Sequence, residues 1–249
     1  MTTAGTLTRL APPPSRLERP ALFLDMDGVL APLEPKPGDV GPVSRRTALL
    51  RRLVERLDGR VAVVSGRTLA EIDRIAEAAS PAASGVHGLE RRRPDGSLER
   101  AEPHPGVRQA VTAFDHFAAD RPGMIVEDKG VSAGLHYRGA QGFADEAAAL
   151  ARRLAGETGL TLQAGDLVVE LKTPGTSKGT AVRDFMNEAP FAGGLPVMVG
   201  DDLTDEDGFE AAEALGGFGV LVGPERATAA RYRLEDVEAV LGWLEGIAA

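Results

Sequence analysis

The sequence predicts an α/β protein in which a parallel-sheet core is interrupted by an inserted α+β unit. Three observations point there. Short apolar runs end abruptly in acidic or small polar residues, as at Asp25, Ser65 and Gly200. Segments of helical spacing separate those runs, which is the pattern of βα units with crossovers. Between about residues 102 and 173 the order changes to helix-strand-strand-helix-strand-strand with short links.

Each element has a local reason. Residues 21–24, Ala-Leu-Phe-Leu, lie between Pro20 and Asp25 and read as a buried strand. Ser44 reads as the N-cap and Gly59 as the stop of a helix marked by Leu49, Leu50, Leu53, Val54 and Leu57. Residues 61–64 are a second buried strand, ending at Ser65-Gly66-Arg67, and residues 69–78 a second helix. Such repeats imply right-handed crossovers and a parallel sheet. Pro94-Asp95-Gly96 marks a turn between two short polar segments, and Arg91-Arg92-Arg93 beside it reads as a solvated hairpin edge. Helices over 107–118 and 146–154, with strands over 124–126, 132–137, 160–162 and 167–171, predict an antiparallel sheet with two helices on one face. The βα pattern then returns: helix 177–186, strand 196–199, helix 206–214, strand 220–222, and a last helix marked by Leu234, Val237, Val240, Leu241 and Leu244. The expected division is a flexible tail over 1–20, a core formed by 21–101 and 174–249, and the inserted unit over 102–173.

Composition excludes several function classes. At about 150 residues per domain, 249 residues make one large or two unequal domains. A net charge of −9 disfavours nucleic acid and anionic membranes as partners. The absence of cysteine excludes disulfides, thiolate catalysis and iron–sulfur clusters, and four His argue against a poly-His metal site. No stretch approaches the roughly 18 apolar residues that span a membrane, and residues 1–20 lack an apolar signal region. A cytoplasmic monomer is the expectation.

Four pieces carry chemistry. The first strand ends in Asp25-Met26-Asp27-Gly28, and ligands of open parallel sheets bind at carboxyl strand ends. A carboxylate there can act as a nucleophile and its neighbour as acid and base. Taken alone, Asp-x-Asp-Gly is equally a turn whose side chains bond local amides. Gly200-Asp201-Asp202-Leu203-Thr204-Asp205-Glu206 is a second acidic strand end, suited to a hard cation that keeps waters and takes substrate phosphate. An EF-hand register fails, because its first and twelfth positions would be Leu203 and Ala214. Asp205 and Glu206 also fit a solvated helix N-terminus. Ser65-Gly66 can bind an oxyanion or simply cap the next helix. Lys178 precedes its glycine, which rules out a Walker A loop, and its unfavourable place at a helix start hints at an anionic partner.

In this order and placement, the four pieces resemble the haloacid-dehalogenase-type (HAD) phosphohydrolases. The resemblance implies a HAD-like Rossmannoid core with an inserted αββαββ cap. It implies Asp25 as nucleophile, Asp27 as acid and base, and Ser65 and Lys178 as holders of the phosphoryl group. It also implies Mg²⁺ on Asp25, the Asp27 carbonyl and Asp201, supported by Asp202 and Asp205. Gly28, Gly66 and Arg67 would line the substrate.

The insert should carry specificity. Alternation puts Glu127 and Lys129 on one strand face, and His136 and Arg138 stand in the same relation on the next. Any such pair alone is as well a solvated cross-strand ion pair. The longer strings Val126-Glu127-Asp128-Lys129-Gly130, His136-Tyr137-Arg138 and Glu170-Leu171-Lys172, with Gly85-Val86-His87-Gly88-Leu89-Glu90, are similar to the trehalose-6-phosphate phosphatases over residues 21 to about 245. That similarity implies Glu127, Lys129 and Glu170 on the distal sugar, with His136 and Arg138 nearby. The implied reaction is hydrolysis of trehalose 6-phosphate to trehalose and phosphate, the last step of trehalose biosynthesis. Val29 and Val86 depart from the family, which commonly has Thr and Asn there. Sucrose 6-phosphate or a glycosyl-phosphoglycerate as substrate, a phosphomutase, and a non-catalytic sugar-phosphate sensor are the competing readings.

Overall fold

The computed structural model describes residues 10–34, 36–165 and 167–249. In chain order the core begins with β1 (Pro20–Leu24), α1 (Ser44–Arg56), β2 (Val61–Val64), α2 (Leu69–Ala76) and β3 (Ala82–Gly85). A hairpin of β4 (Glu90–Arg92) and β5 (Leu98–Arg100) follows. The insert comprises α3 (Gly106–Ala118), β6 (Ile125–Asp128), β7 (Ser132–His136), α4 (Ala144–Thr158), β8 (Thr161–Gly165) and β9 (Val168–Lys172). The chain returns through α5 (Lys178–Met186), β10 (Leu195–Gly200), α6 (Glu206–Ala214), β11 (Phe218–Val222), β12 (Tyr232–Leu234) and α7 (Val237–Ala248).

The α/β architecture is the expected one. Eight strands form one sheet in the order β12-β11-β10-β1-β2-β3-β4-β5. Pairing is parallel from β12 to β3, and β4 and β5 extend that edge antiparallel. Strand β1 lies between β10 and β2, so the chain order reverses beside it and opens a crevice at its carboxyl end. Both sheet faces are buried. Leu22 and Leu24 face a cluster that includes Leu49, Leu53 and Leu244, whereas Ala21 and Phe23 face Phe185, Phe191 and Phe209. This period-two split explains why the strands read as unbroken apolar runs.

The insert folds as a four-stranded antiparallel sheet, β6-β7-β9-β8, with α3 and α4 on one face. Ala133, Leu135, Val169 and Leu171 meet Phe114 and Leu154 on that face. Alternate residues therefore point the other way, towards the core strand ends.

Several local expectations are corrected. Ser44 is the first residue of α1 rather than its cap; the N-cap is Val43, without a side-chain bond. Leu234 lies in β12, because the Asp236 carboxylate accepts from Ala239 N and starts α7 there. The arginine run is not solvated. Arg92 pairs with both Asp73 oxygens at 2.6 and 2.7 Å, and Arg91 and Arg93 bond Glu99 and Glu188. Of the expected tail, residues 1–9 lie outside the described residues, whereas the remainder is docked: Leu17 packs on the core and Trp243 Nε1 donates to Pro14 O at 2.9 Å. No helix among the described residues is long and apolar enough to cross a membrane.

Candidate active site

At the end of β1 the chain must turn at once. Asp25 N donates to Val199 O, keeping this point in line with β10, and Leu30 N and Ala31 N both return to Met26 O. Gly28 sits in this loop at φ +69°, where any Cβ would collide with the Asp201 carboxylate. Gly28 is therefore a packing glycine that lets two acidic strand ends approach, and it is not among the residues lining the cleft.

The approach gathers charge. Asp25 Oδ1 accepts from Met26 N at 2.7 Å, and Asp25 Oδ2 accepts from Lys178 Nζ at 2.6 Å. The same ammonium donates to Asp205 Oδ1 at 2.6 Å. Asp205 Oδ2 accepts from the amides of Asp201 and Asp202 at 2.9 and 3.0 Å. Asp205 is fully buried, so its reading as a solvated helix end is corrected. Asp202 stands at the rim, its Oδ1 accepting from Leu203 N at 2.6 Å. Glu206, the other residue of that reading, receives bonds from Arg226, Thr228 and Ala229 N and ties down the following loop.

Three carboxylates thus share one ammonium. Burial, only partly offset by Lys178, lifts Asp25 to about 6, with Asp205 and Asp27 adding repulsion. Burial and then the charges of Asp25 and Asp205 push Asp201 to about 8. Lys178 is raised as well: burial disfavours its charge, yet Asp205 and Asp25 outweigh burial and hold it protonated. Carboxylate oxygens of Asp25, Asp201 and Asp205 lie within 4.8 Å of one another. Among the described residues, no hydrogen bond goes to the Asp201 carboxylate. This all-oxygen, under-compensated donor set fits a hard divalent cation. Asp25 and Asp205 each have both oxygens engaged, Asp25 by Met26 N and Lys178 and Asp205 by Lys178 and two amides, so Asp201 is the carboxylate of the three that stands open.

Ser65 is not the helix cap. Thr68 takes that place, in a capping box with Glu71. Ser65 is released to face the cleft, and among the described residues its hydroxyl accepts one bond, from Arg67 N at 3.3 Å. Arg67 folds back on Asp27, bonding its two oxygens at 2.6 and 2.7 Å.

The insert's polar face closes the other side. Its pairing register puts Glu127 opposite Gly134, Gly134 opposite Glu170, and Glu170 opposite Gln163, so these residues form one row across four strands. His136 Nε2 lies 2.9 Å from Glu127 Oε2. Glu170 Oε1 accepts from Ser132 Oγ at 2.5 Å, while Lys129 Nζ stands 3.5 Å from both Glu127 and Glu170. Burial would raise Glu170, but Lys129, then His87 and Ser132, hold it well below the usual carboxylate range. Lys129 Nζ also donates to Gly66 O of the core at 3.0 Å.

The resulting cleft encloses about 650 Å³ between the two units, within the usual small-molecule range. Asp25, Asp27, Ser65, Gly66, Arg67, Lys178, Asp201 and Asp202 line it from the core, and Glu127, Lys129, His136, Arg138 and Glu170 from the insert. It holds acids and an ammonium at one end and paired donors and acceptors at the other. Sequence reasoning missed His87 and Gln163, which also line it. A two-residue hairpin after Gly165 would have put Gln163 opposite Glu170, and His87 stands in the Gly85–Glu90 string quoted above, where it was given no role.

The sequence profile of a family described as Trehalose-phosphatase matches residues 23–238. The chain is 40% identical over 229 residues to the trehalose-6-phosphate phosphatase of Escherichia coli (strain K12), covering 91% of this chain and 86% of that one. A solved structure of the C-terminal domain of Candida albicans trehalose-6-phosphate phosphatase superposes with a TM-score of 0.83 at 21% identity, over 93% of this chain and 92% of that one. Another, of a trehalose-6-phosphate phosphatase related protein, gives 0.73 at 26% identity over 91% and 96%.

Proposed function

The chain belongs to the trehalose-phosphatase family, and from that premise we propose that it hydrolyses trehalose 6-phosphate to trehalose and inorganic phosphate through an aspartyl-phosphate on Asp25. The observation that carries this reading is the array of Asp25 and Asp201 at the tips of β1 and β10 with Lys178 and Asp205 from the starts of α5 and α6, and Asp27 beside it.

Asp25 is the nucleophile. One of its oxygens forms a bond to phosphorus as the bond from phosphorus to the sugar oxygen breaks. Asp27 gives that oxygen a proton, then takes one from the water that attacks the acyl-phosphate, releasing phosphate and restoring Asp25. Asp27 can do so only after parting from Arg67, which holds both its oxygens. Ser65 and Lys178 hold the phosphoryl oxygens. Asp25, Asp201 and the Asp27 carbonyl would hold Mg²⁺, with Asp202 and Asp205 in support, and the ion would supply the positive charge that lets a carboxylate approach a phosphate. Glu127, Lys129, His136, Arg138 and Glu170 offer the paired donors and acceptors that a hydroxyl-rich distal sugar requires.

The test is phosphate release, with Mg²⁺ and with chelator, from trehalose 6-phosphate, sucrose 6-phosphate, glucose 6-phosphate and a glycosyl-phosphoglycerate. Trehalose 6-phosphate should lead the panel in kcat/KM by at least tenfold. Equal rates across the panel would remove the specific substrate, and a sugar 1-phosphate product would make the protein a mutase.

A further inference from the structure

His87 belongs to none of the chemistry above, yet it is built in from every side. It lies in a turn where Val86 and His87 both take left-handed backbone, at φ +46° and +51°. A β-branched residue and its neighbour hold that conformation only when their surroundings force it. Two bonds do so: Val86 N donates to Arg67 O at 2.9 Å, and His87 N donates to Ser65 O at 3.1 Å. The turn is therefore fastened to the loop that presents Ser65. Gly66 leaves room for the ring, since a Cβ there would lie 2.5 Å from His87 Nε2.

The ring itself points into the insert. Gln163 Nε2 donates to His87 Nδ1 at 3.0 Å, and His87 Nε2 faces Glu170 Oε2 at 3.5 Å. With the Gln163 amide donating to Nδ1, these contacts suit the tautomer that carries its proton on Nε2, and burial lowers the imidazole's pKa against the pull of Glu170. Gln163 and Glu170 are direct cross-strand partners on β8 and β9. A core side chain is thus inserted between two neighbours of the insert's polar row.

We propose that His87 is a positioning residue that docks the insert over the cleft and, with Gln163, aims Glu170 at the distal sugar. This rests on the reading that the insert binds the sugar. It makes selectivity for a sugar phosphate depend on a core residue that need not touch the phosphate.

The experiment compares kcat/KM for trehalose 6-phosphate with kcat/KM for p-nitrophenyl phosphate, which has no sugar, in the unsubstituted chain, His87→Ala and Gln163→Ala. The ratio of the two values should fall at least tenfold in both variants, mainly through KM for the sugar phosphate. The double variant should fall little further, because both residues serve one contact. A ratio that stays within threefold in Gln163→Ala overturns the proposal even if His87→Ala fails to fold. So does an equal loss on both substrates. If the unsubstituted chain prefers a different sugar phosphate, the substrate assignment fails separately, and the ratio is then taken with the preferred sugar.

Discussion

Lys178 is the residue on which the site turns. Its ammonium is buried and placed 2.6 Å from Asp25 and 2.6 Å from Asp205, so it supplies one positive charge to a cluster of three carboxylates. Replacing Asp25 by Asn removes the nucleophile and one repelling charge together. Phosphate release should fall at least about 10³-fold, while the thermal midpoint of the metal-free chain stays level or rises. A substantial rate in Asp25→Asn would overturn the nucleophile assignment. The same cluster sets a pH dependence. Asp201 at about 8 and Asp25 at about 6 are both raised, so the folded metal-free chain binds protons more tightly than the unfolded chain. That contribution to stability is present at low pH and is lost as pH rises through about 6 to about 8. Mg²⁺ needs the carboxylates ionised, so binding near pH 7 should expel close to one proton and should stabilise more at higher pH. Calorimetry in buffers of different ionisation enthalpy measures the release; heats independent of buffer would count against a cation held by Asp201.

At the scale of elements, small capping choices decide what the catalytic loops can do. The Thr68–Glu71 capping box starts α2 three residues after Ser65 and so leaves Ser65 to the cleft. Thr68→Ala should cost about 1 kcal/mol in urea unfolding, and the extra effect on KM for phosphate esters should be small if Ser65 keeps its place. The packing beneath is less forgiving. Phe185 of α5 packs at a tilt against Phe23 and Phe191 with ring centroids 6.1 and 5.0 Å away and is almost fully buried. Elements themselves were largely legible in the sequence, because a strand buried on both faces leaves an apolar run and a surface helix leaves a 3.6-residue stripe. Their ends were less so. Leu234 fits the stripe of α7 but lies in β12, since the cap at Asp236 outweighs hydrophobic spacing.

For the whole molecule, two packed units meet across the cleft and at a small apolar contact in which Val131 of the insert touches Val86 and Leu89. The large clusters of core and insert share no residue. Phe114 is fully buried in the insert's own cluster. Phe114→Ala should therefore cost the insert about 3–5 kcal/mol and lower amide-exchange protection in β6, β7, β8 and β9 while leaving β1 and β10 unchanged. Uniform loss across both units would show one cooperative block instead.

The sequence by itself determined the α/β class, the inserted αββαββ order and the acidic strand ends, because each leaves a mark within a few neighbouring residues. It also brought Asp25, Asp27, Ser65, Lys178 and Asp201 forward, since a parallel sheet sends every such strand end to one edge. Only the tertiary structure decided the rest. That Arg92 neutralises Asp73, that Arg67 holds Asp27, that Asp205 is buried beneath Lys178, and that His87 reaches Gln163 and Glu170 all depend on contacts between residues 19 to 83 positions apart or across separate units. Pairings of that range follow from how elements pack, and no local pattern of residue types records them.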